Sequence, residues 1–123
     1  MPFEWAEYLD LAKRLSRDDG GEAEFRTAIS RAYYAVFCKA RNRLIANGSS
    51  IPKDALAHEQ VWREYRAAAS NIMNNIGING DRLRKKRKTA DYDDQITRVK
   101  EETELAISTA DNVLWQLDQL NSR

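Results

Sequence analysis

Residues 25–44 carry the clearest structural pattern in the chain and read Phe-Arg-Thr-Ala-Ile-Ser-Arg-Ala-Tyr-Tyr-Ala-Val-Phe-Cys-Lys-Ala-Arg-Asn-Arg-Leu. Their apolar side chains recur three or four positions apart, which is the spacing of a buried helical face. We therefore predict that a helix over residues 22–47 forms the centre of the core. The same spacing recurs elsewhere, and no alternating run is long enough for a strand, so the expected fold class is all-α.

Three further long helices are predicted around this central one. The first covers residues 3–17, and the third carries apolar residues at helical spacing over residues 56–73. The last begins at an Asp93 or Asp94 cap and continues to about residue 120. These helices and their short connectors predict an up-and-down four-helix bundle.

The connection between the third and last helices is predicted to be mostly irregular. Residues 74–81 contain two glycines and three asparagines, a composition typical of a loop. The basic residues that follow are expected to begin a short extra helix. With 123 residues, the chain is long enough for one compact domain, and we assign residues 1–123 to a single domain.

The composition limits the classes of protein that the chain can belong to. Charged residues make up 32% of the sequence but leave a net charge of only +1, so any attraction for phosphate must come from local clustering of cations. No signal peptide or apolar run of membrane-spanning length is present, which predicts a soluble, cytoplasmic protein without a membrane partner. With one cysteine, Cys38, and one histidine, His58, we expect no internal disulfide, no metal site and no cofactor.

The strongest cluster of cations lies at residues 82–88, hereafter the basic segment. Its six cations are candidates for binding the phosphates of RNA or of a nucleotide, namely Arg82, Arg84, Lys85, Lys86, Arg87 and Lys88. The alternative is a solvated face whose charge is balanced by neighbouring acids, Asp81, Asp91, Asp93 and Asp94. A helical basic segment would spread its cations over more than one side, so some must face the core edge, a second subunit or a ligand.

Two stretches of the sequence resemble the HEPN family of prokaryotic helical domains. Residues 30–37 read Ser-Arg-Ala-Tyr-Tyr-Ala-Val-Phe, similar to the family's Ser-Arg-Ala-Tyr-Tyr-Ala-x-Phe motif on a core helix. Residues 83–92 read Leu-Arg-Lys-Lys-Arg-Lys-Thr-Ala-Asp-Tyr, similar to the Leu-Arg-x-x-Arg-x-x-Ala-Asp-Tyr motif that one large branch carries before its last long helix. His58 falls where similar sequences often place a histidine, and the likeness covers roughly residues 22–120.

The resemblance implies a four-helix bundle, usually a homodimer, that often works beside a nucleotidyltransferase or in toxin–antitoxin and antiviral systems. Many members are metal-independent ribonucleases that pair an arginine with a histidine a few residues later. Arg87 occupies the arginine position here, but Asp91 or Tyr92 stands where the histidine would follow. If the protein is a ribonuclease, the candidate catalytic residues are therefore Arg87, Asp91, Tyr92 and His58, with Arg31 and Tyr34 in support.

Each of these candidates also has a structural interpretation. In the structural interpretation Asp91 pairs with Arg31, Arg84 or Arg87, and an unperturbed aspartate is a weak base at neutral pH. Tyr92 either packs its ring under the basic segment or exposes its hydroxyl to modification. The aromatic residues of the 30–37 motif have core spacing, although Tyr34 lies off the main stripe.

Three functions follow from these observations. The first is a non-catalytic binding or regulatory module that offers a basic cleft at a dimer interface to RNA or nucleotide phosphate. The alternative is a metal-independent endoribonuclease in which Arg87 stabilises charge developing on the scissile phosphate. The third is a structural subunit whose cations neutralise carboxylates of a nucleotidyltransferase-type protein partner.

Overall fold

The computed structural model describes residues 1–121 and arranges them in five α-helices. These are α1 (Glu7–Leu15), α2 (Glu22–Ala46), α3 (Leu56–Ala67), α4 (Asn71–Tyr92) and α5 (Val99–Asn121). The long helices α2, α4 and α5 pack against one another, with α1 against α2 and α5, and α3 mainly against α4. Residues 1–121 contain no strand, and the predicted all-α bundle is confirmed.

Helix α2 is the central helix, as its apolar spacing predicts. The stripe from Phe25 to Leu44 is buried against the helices on either side, and Tyr33 at its middle is completely inaccessible. The helix begins where the Gly21 amide donates a 2.9 Å hydrogen bond to the Glu24 carboxylate, which satisfies one of the free amides of the first turn. A helix buried over such a wide face contributes most of its stability through packing.

The predicted boundary between the third helix and a loop at residues 74–81 is wrong. Helix α3 ends at Ala67 rather than near residue 73, and the chain turns at residues 68–70. The Ser70 hydroxyl accepts a hydrogen bond from the amide of Met73 and so caps the next helix. The Asn74 side-chain amide donates to the carbonyls of Tyr65, Arg66 and Ala68 at the end of α3.

The glycines in the predicted loop serve close packing between helices. Gly77 and Gly80 lie inside α4 and face α3. A Cβ atom at Gly77 would lie 2.6 Å from the backbone nitrogen of Arg66, and one at Gly80 would overlap the indole ring of Trp62. Residues 74–81 are helical because the close approach of α3 outweighs the low helix propensity of these glycines.

The basic segment is therefore the C-terminal half of α4 and not the start of a separate short helix. Asp93 and Asp94 do not cap the last helix, because α4 continues to Tyr92 and α5 begins only at Val99. The Arg26 guanidinium holds this turn by donating to the carbonyls of Ala90, Asp93 and Asp94. The first helix is also shorter than predicted and covers nine residues instead of residues 3–17.

Candidate functional site

Helix α4 places Arg87 on the aromatic surface of α2. Only 8% of the Arg87 surface is exposed, and its guanidinium carbon lies 5.5 Å from the ring centre of Tyr33 and 5.6 Å from that of Tyr34. One terminal nitrogen is 3.5 Å from the Asp91 carboxylate, whereas Nε is buried without a hydrogen-bond partner among the described residues. Arg87 thus retains hydrogen-bonding capacity beside a single carboxylate.

Two further arginines lie on the exposed side of α2 and rest on aromatic rings. The guanidinium carbon of Arg31 is 4.7 Å from the ring centre of Tyr8 and 5.0 Å from that of Tyr34. Arg41 lies 5.7 Å from Trp5 and 5.9 Å from Phe37 by the same measure. Neither arginine forms an ion pair within residues 1–121, so the rings orient both cations without neutralising them.

These three arginines line one groove, which we call the arginine groove. It has a volume of about 370 Å³ and is bordered by Arg31, Arg41, Arg87, Asp91, Tyr92 and the aromatic residues of α1 and α2 beside them. Asp91 is the one carboxylate among its lining residues. A surface with three guanidinium groups, one carboxylate and several aromatic rings attracts an anion that also carries an apolar or aromatic part.

The remaining cations of the basic segment lie elsewhere and are largely neutralised. Arg84 and Lys85 both pair with Asp81, at 2.8 and 3.4 Å, and Lys86 pairs with Glu102 of α5. Arg82 and Lys88 are exposed and have no acidic partner within residues 1–121. Of the six cations predicted to bind phosphate, Arg87 is the one that lines the arginine groove.

His58 lies at the end of a buried chain of hydrogen bonds. The Trp62 indole nitrogen donates to the Tyr33 hydroxyl at 3.1 Å, and that hydroxyl is 2.7 Å from His58 Nδ1. Trp62 Nε1 can only donate, and Nδ1 is the one other hydrogen-bonding partner of the Tyr33 hydroxyl within residues 1–121, so we infer that the hydroxyl donates its proton to Nδ1. Burial raises the pKa of the Tyr33 phenol well above its usual value, which keeps that proton in place.

The same surroundings keep the His58 imidazole neutral. Burial is the main cause, and the charges of Arg87, Arg84 and Lys88 add to it, so the pKa of His58 falls to about 4. With Nδ1 accepting from Tyr33, the single ring proton belongs to Nε2. His58 therefore presents a hydrogen-bond donor to its surroundings, and its one acceptor nitrogen is already occupied.

The candidate catalytic residues are only partly brought together. Arg87, Asp91 and Tyr92 border the arginine groove, with Tyr92 at its rim and 76% exposed, whereas His58 lines a neighbouring hollow. Of the three predicted partners of Asp91, Arg87 is the one with which it forms an ion pair. Arg31 and Tyr34 support the groove by contacting each other.

Five residues that line the groove were not predicted as site residues from the sequence. They are Trp5, Tyr8, Phe37, Cys38 and Arg41. A signal for Arg41 is present, because positions 31, 34, 38 and 41 repeat at intervals of three or four and form a second stripe on α2. No comparable pattern shows that α1 lies beside this stripe.

Two features of this all-α bundle define the class of protein. Arg87 lies on the penultimate helix, and the Ser-Arg-Ala-Tyr-Tyr motif lies on the central helix. The model of the HEPN domain matches residues 6–119, and the chain belongs to this family. Searches among curated proteins and among solved structures found no match.

Two further properties concern the described residues alone. None of the helices within residues 1–121 combines the length and the apolar character that a membrane span requires. The same residues contain no group of three or more His, Cys, Asp or Glu side chains placed to hold a metal ion.

Proposed function

We propose that this protein is a non-catalytic HEPN-family module that binds RNA or nucleotides through their phosphate groups in the arginine groove. The observation that carries the proposal is the imbalance of charge in the groove, where Arg31, Arg41 and Arg87 face one carboxylate. Arg31 and Arg41 have no acidic partner within residues 1–121, so their charge is available to a ligand.

The chemistry of the groove favours nucleic acid over a simple inorganic anion. Guanidinium groups bind phosphate oxygens through paired hydrogen bonds, and Arg87 Nε is a buried donor without a partner in the described chain. Tyr8, Tyr34 and Trp5 provide rings beside the cations, and aromatic rings are the surfaces on which unpaired bases stack. A phosphate and an adjoining base would use both features at once.

The geometry gives less support to cleavage by an endoribonuclease centred on Arg87. A ribose hydroxyl would need a base within hydrogen-bond reach, and the acceptor nitrogen of His58 is already occupied by Tyr33. With a pKa of about 4, His58 is also a weaker base than an ordinary imidazole. Asp91 is engaged in an ion pair with Arg87, at 3.5 Å.

The predicted partners are a further part of the proposal. The family resemblance supports a homodimer in which the groove is completed by a second copy, and the exposed Tyr92 ring at the groove rim is a candidate contact for it. The nucleotidyltransferase-type partner, the structural role beside it and the toxin–antitoxin or defence setting stay predictions from the resemblance.

The proposal is tested by measuring binding and cleavage together. Labelled single-stranded and structured RNAs, and labelled nucleotides, are titrated with wild type, Arg41→Gln and the control Arg14→Gln, without added metal. Arg14 is exposed, has no acidic partner within residues 1–121 and lines neither the groove nor the hollow.

We expect Arg41→Gln to weaken binding by about tenfold or more, Arg14→Gln to change it less than twofold, and the RNA to stay intact. The RNA and nucleotide arms identify which ligand is bound. Equal loss in both variants, or no binding by wild type, would overturn the proposal. Cleavage by wild type that Arg87→Met abolishes would establish the endoribonuclease instead.

A further inference from the structure

A second concavity lies next to the arginine groove. It has a volume of about 730 Å³ and lies between the end of α2, the connection after it and the start of α3; we call it the α2–α3 hollow. Ile45, Ile51 and Pro52 give it an apolar wall, and Arg41, Lys53 and His58 give it polar groups. An apolar wall with a few polar groups is the usual composition of a small-molecule site.

The hollow and the groove are adjacent. Phe37 and Arg41 line both, so these two side chains lie between them. Arg31 and Arg41 are ten residues apart on α2, which corresponds to about 15 Å along the helix. A ligand that reaches from Arg31 past Arg41 into the hollow must therefore be extended.

The polar groups of the hollow favour a ligand with hydrogen-bond acceptors and negative charge. His58 Nε2 carries the ring proton and donates to no residue of the described chain. This nitrogen is also not among the fully buried side-chain atoms without a partner, so it is accessible to a ligand. Lys53 is exposed without an acidic partner within residues 1–121. The carboxylate of Asp54, also on the wall, accepts the amide of Leu56 and so is turned to the start of α3.

We propose that the α2–α3 hollow receives the next nucleotide of the strand bound in the arginine groove, so that the ligand is a single strand of at least two nucleotides. The base lies against Ile45, Ile51 and Pro52, the His58 Nε2–H donates to an acceptor on its edge, and the connecting phosphate lies at Arg41. This inference rests on the proposed function, because it assigns a length of ligand to the same site.

The test measures affinity for labelled oligouridylates of one, two and four nucleotides, since uracil carries two carbonyl acceptors. The variants are His58→Asn, Lys53→Gln and the control Arg14→Gln. The asparagine side-chain oxygen can accept the hydrogen bond from the Tyr33 hydroxyl in place of Nδ1, but asparagine has no atom at the Nε2 position. The variant therefore keeps the hydrogen bond to Tyr33 and removes the one proposed to the ligand. Melting curves establish that each variant is folded. If His58→Asn does not fold, Lys53→Gln provides the test of the hollow.

We expect wild type to bind the dinucleotide at least about tenfold more tightly than the mononucleotide. His58→Asn should reduce dinucleotide affinity about fivefold and leave mononucleotide affinity unchanged, and Lys53→Gln should do the same to a smaller extent. Equal affinity of wild type for one and two nucleotides would overturn this inference and leave the proposed function standing. Absence of binding at every length would overturn both.

Discussion

Lys86 and Arg87 are neighbours in the sequence, yet they belong to two regions with opposite electrostatic character. Lys86 points to α5 and is neutralised by Glu102, as Arg84 and Lys85 are by Asp81. Arg87 points to α2 and joins Arg31 and Arg41 in a groove with one carboxylate. Cations that are adjacent in the sequence therefore differ in the acids that surround them, and the density of cations along the chain does not show this difference.

The difference between Lys86 and Arg87 depends on how closely α4 packs on α3, because that packing sets which side chains of α4 face α2. We expect Gly80→Ala to lower the free energy of unfolding by about 3 kcal/mol, since the added methyl group would overlap the Trp62 ring. Urea unfolding monitored by circular dichroism measures the change. Asn75→Ala on the exposed side of α4 is the control and should alter stability by less than about 0.5 kcal/mol. Equal effects of the two changes would contradict this account of the packing.

Acid provides a second test, because His58 is partly buried and lies close to cations of α4. In the unfolded chain His58 takes up a proton near pH 6.5, whereas burial and the charges of Arg87, Arg84 and Lys88 lower its pKa in the folded protein to about 4. The stability that His58 contributes is complete above pH 6.5 and is lost progressively as the pH falls towards 4. We expect the stability difference between wild type and His58→Asn to shrink between pH 7.5 and pH 5.

The shrinking difference is measured by urea unfolding of both proteins at several pH values. Titration of His58 near pH 6.5 in the folded protein, followed by NMR, would contradict it. Such a value would mean that neither burial nor the nearby cations of α4 disfavour the charged imidazole of His58.

The two acids provide a more direct comparison of the regions. Asp91→Asn removes the one carboxylate of the arginine groove, and we expect it to tighten RNA binding by about fivefold. Asp81→Asn releases Arg84 and Lys85 in the other region and should leave affinity within about twofold of wild type. Fluorescence anisotropy with the same labelled RNA measures both. A larger gain from Asp81→Asn would make the basic segment the binding surface.

The smallest expected effect on stability comes from the ion pair between Lys86 of α4 and Glu102 of α5. Lys86→Gln should lower stability by about 0.5 kcal/mol, because partly exposed ion pairs contribute little, and it should not change RNA affinity. Thermal melting and anisotropy measure the two quantities. A loss of affinity comparable to that in Arg41→Gln would contradict the division into two regions.

The sequence predicts the parts of the fold that depend on local spacing. The stripe from Phe25 to Leu44 correctly identifies α2 as the core helix, because burial there follows directly from the helical period. The loop prediction at residues 74–81 failed because Gly77 and Gly80 accommodate α3, and a glycine needed for close approach looks the same in sequence as one needed for a turn. The true break at residues 68–70 contains two alanines, and Ser70 was its main local signal.

The candidate site was predictable to a similar, partial extent. The family motifs make Arg87 and Tyr34 candidates, and the structure places the Arg87 guanidinium carbon 5.6 Å from the Tyr34 ring centre. Arg41 and Trp5 were missed because their roles depend on the packing of α1 against α2, which no local pattern encodes. The different surroundings of Lys86 and Arg87 likewise depend on tertiary packing, because Glu102 of α5 pairs with Lys86 and Asp91 of α4 pairs with Arg87.

The salt dependence of RNA binding tests the central claim most directly, because its slope counts the phosphates that cations neutralise. Wild type is compared with the double variant Arg31→Gln/Arg41→Gln and the matched double variant Lys85→Gln/Lys86→Gln. Removing two groove cations should reduce the slope of log affinity against log salt by about 1.4, and removing the two lysines should leave it unchanged. The opposite pattern, with the slope reduced by the lysine variant and preserved in the arginine variant, would contradict the account.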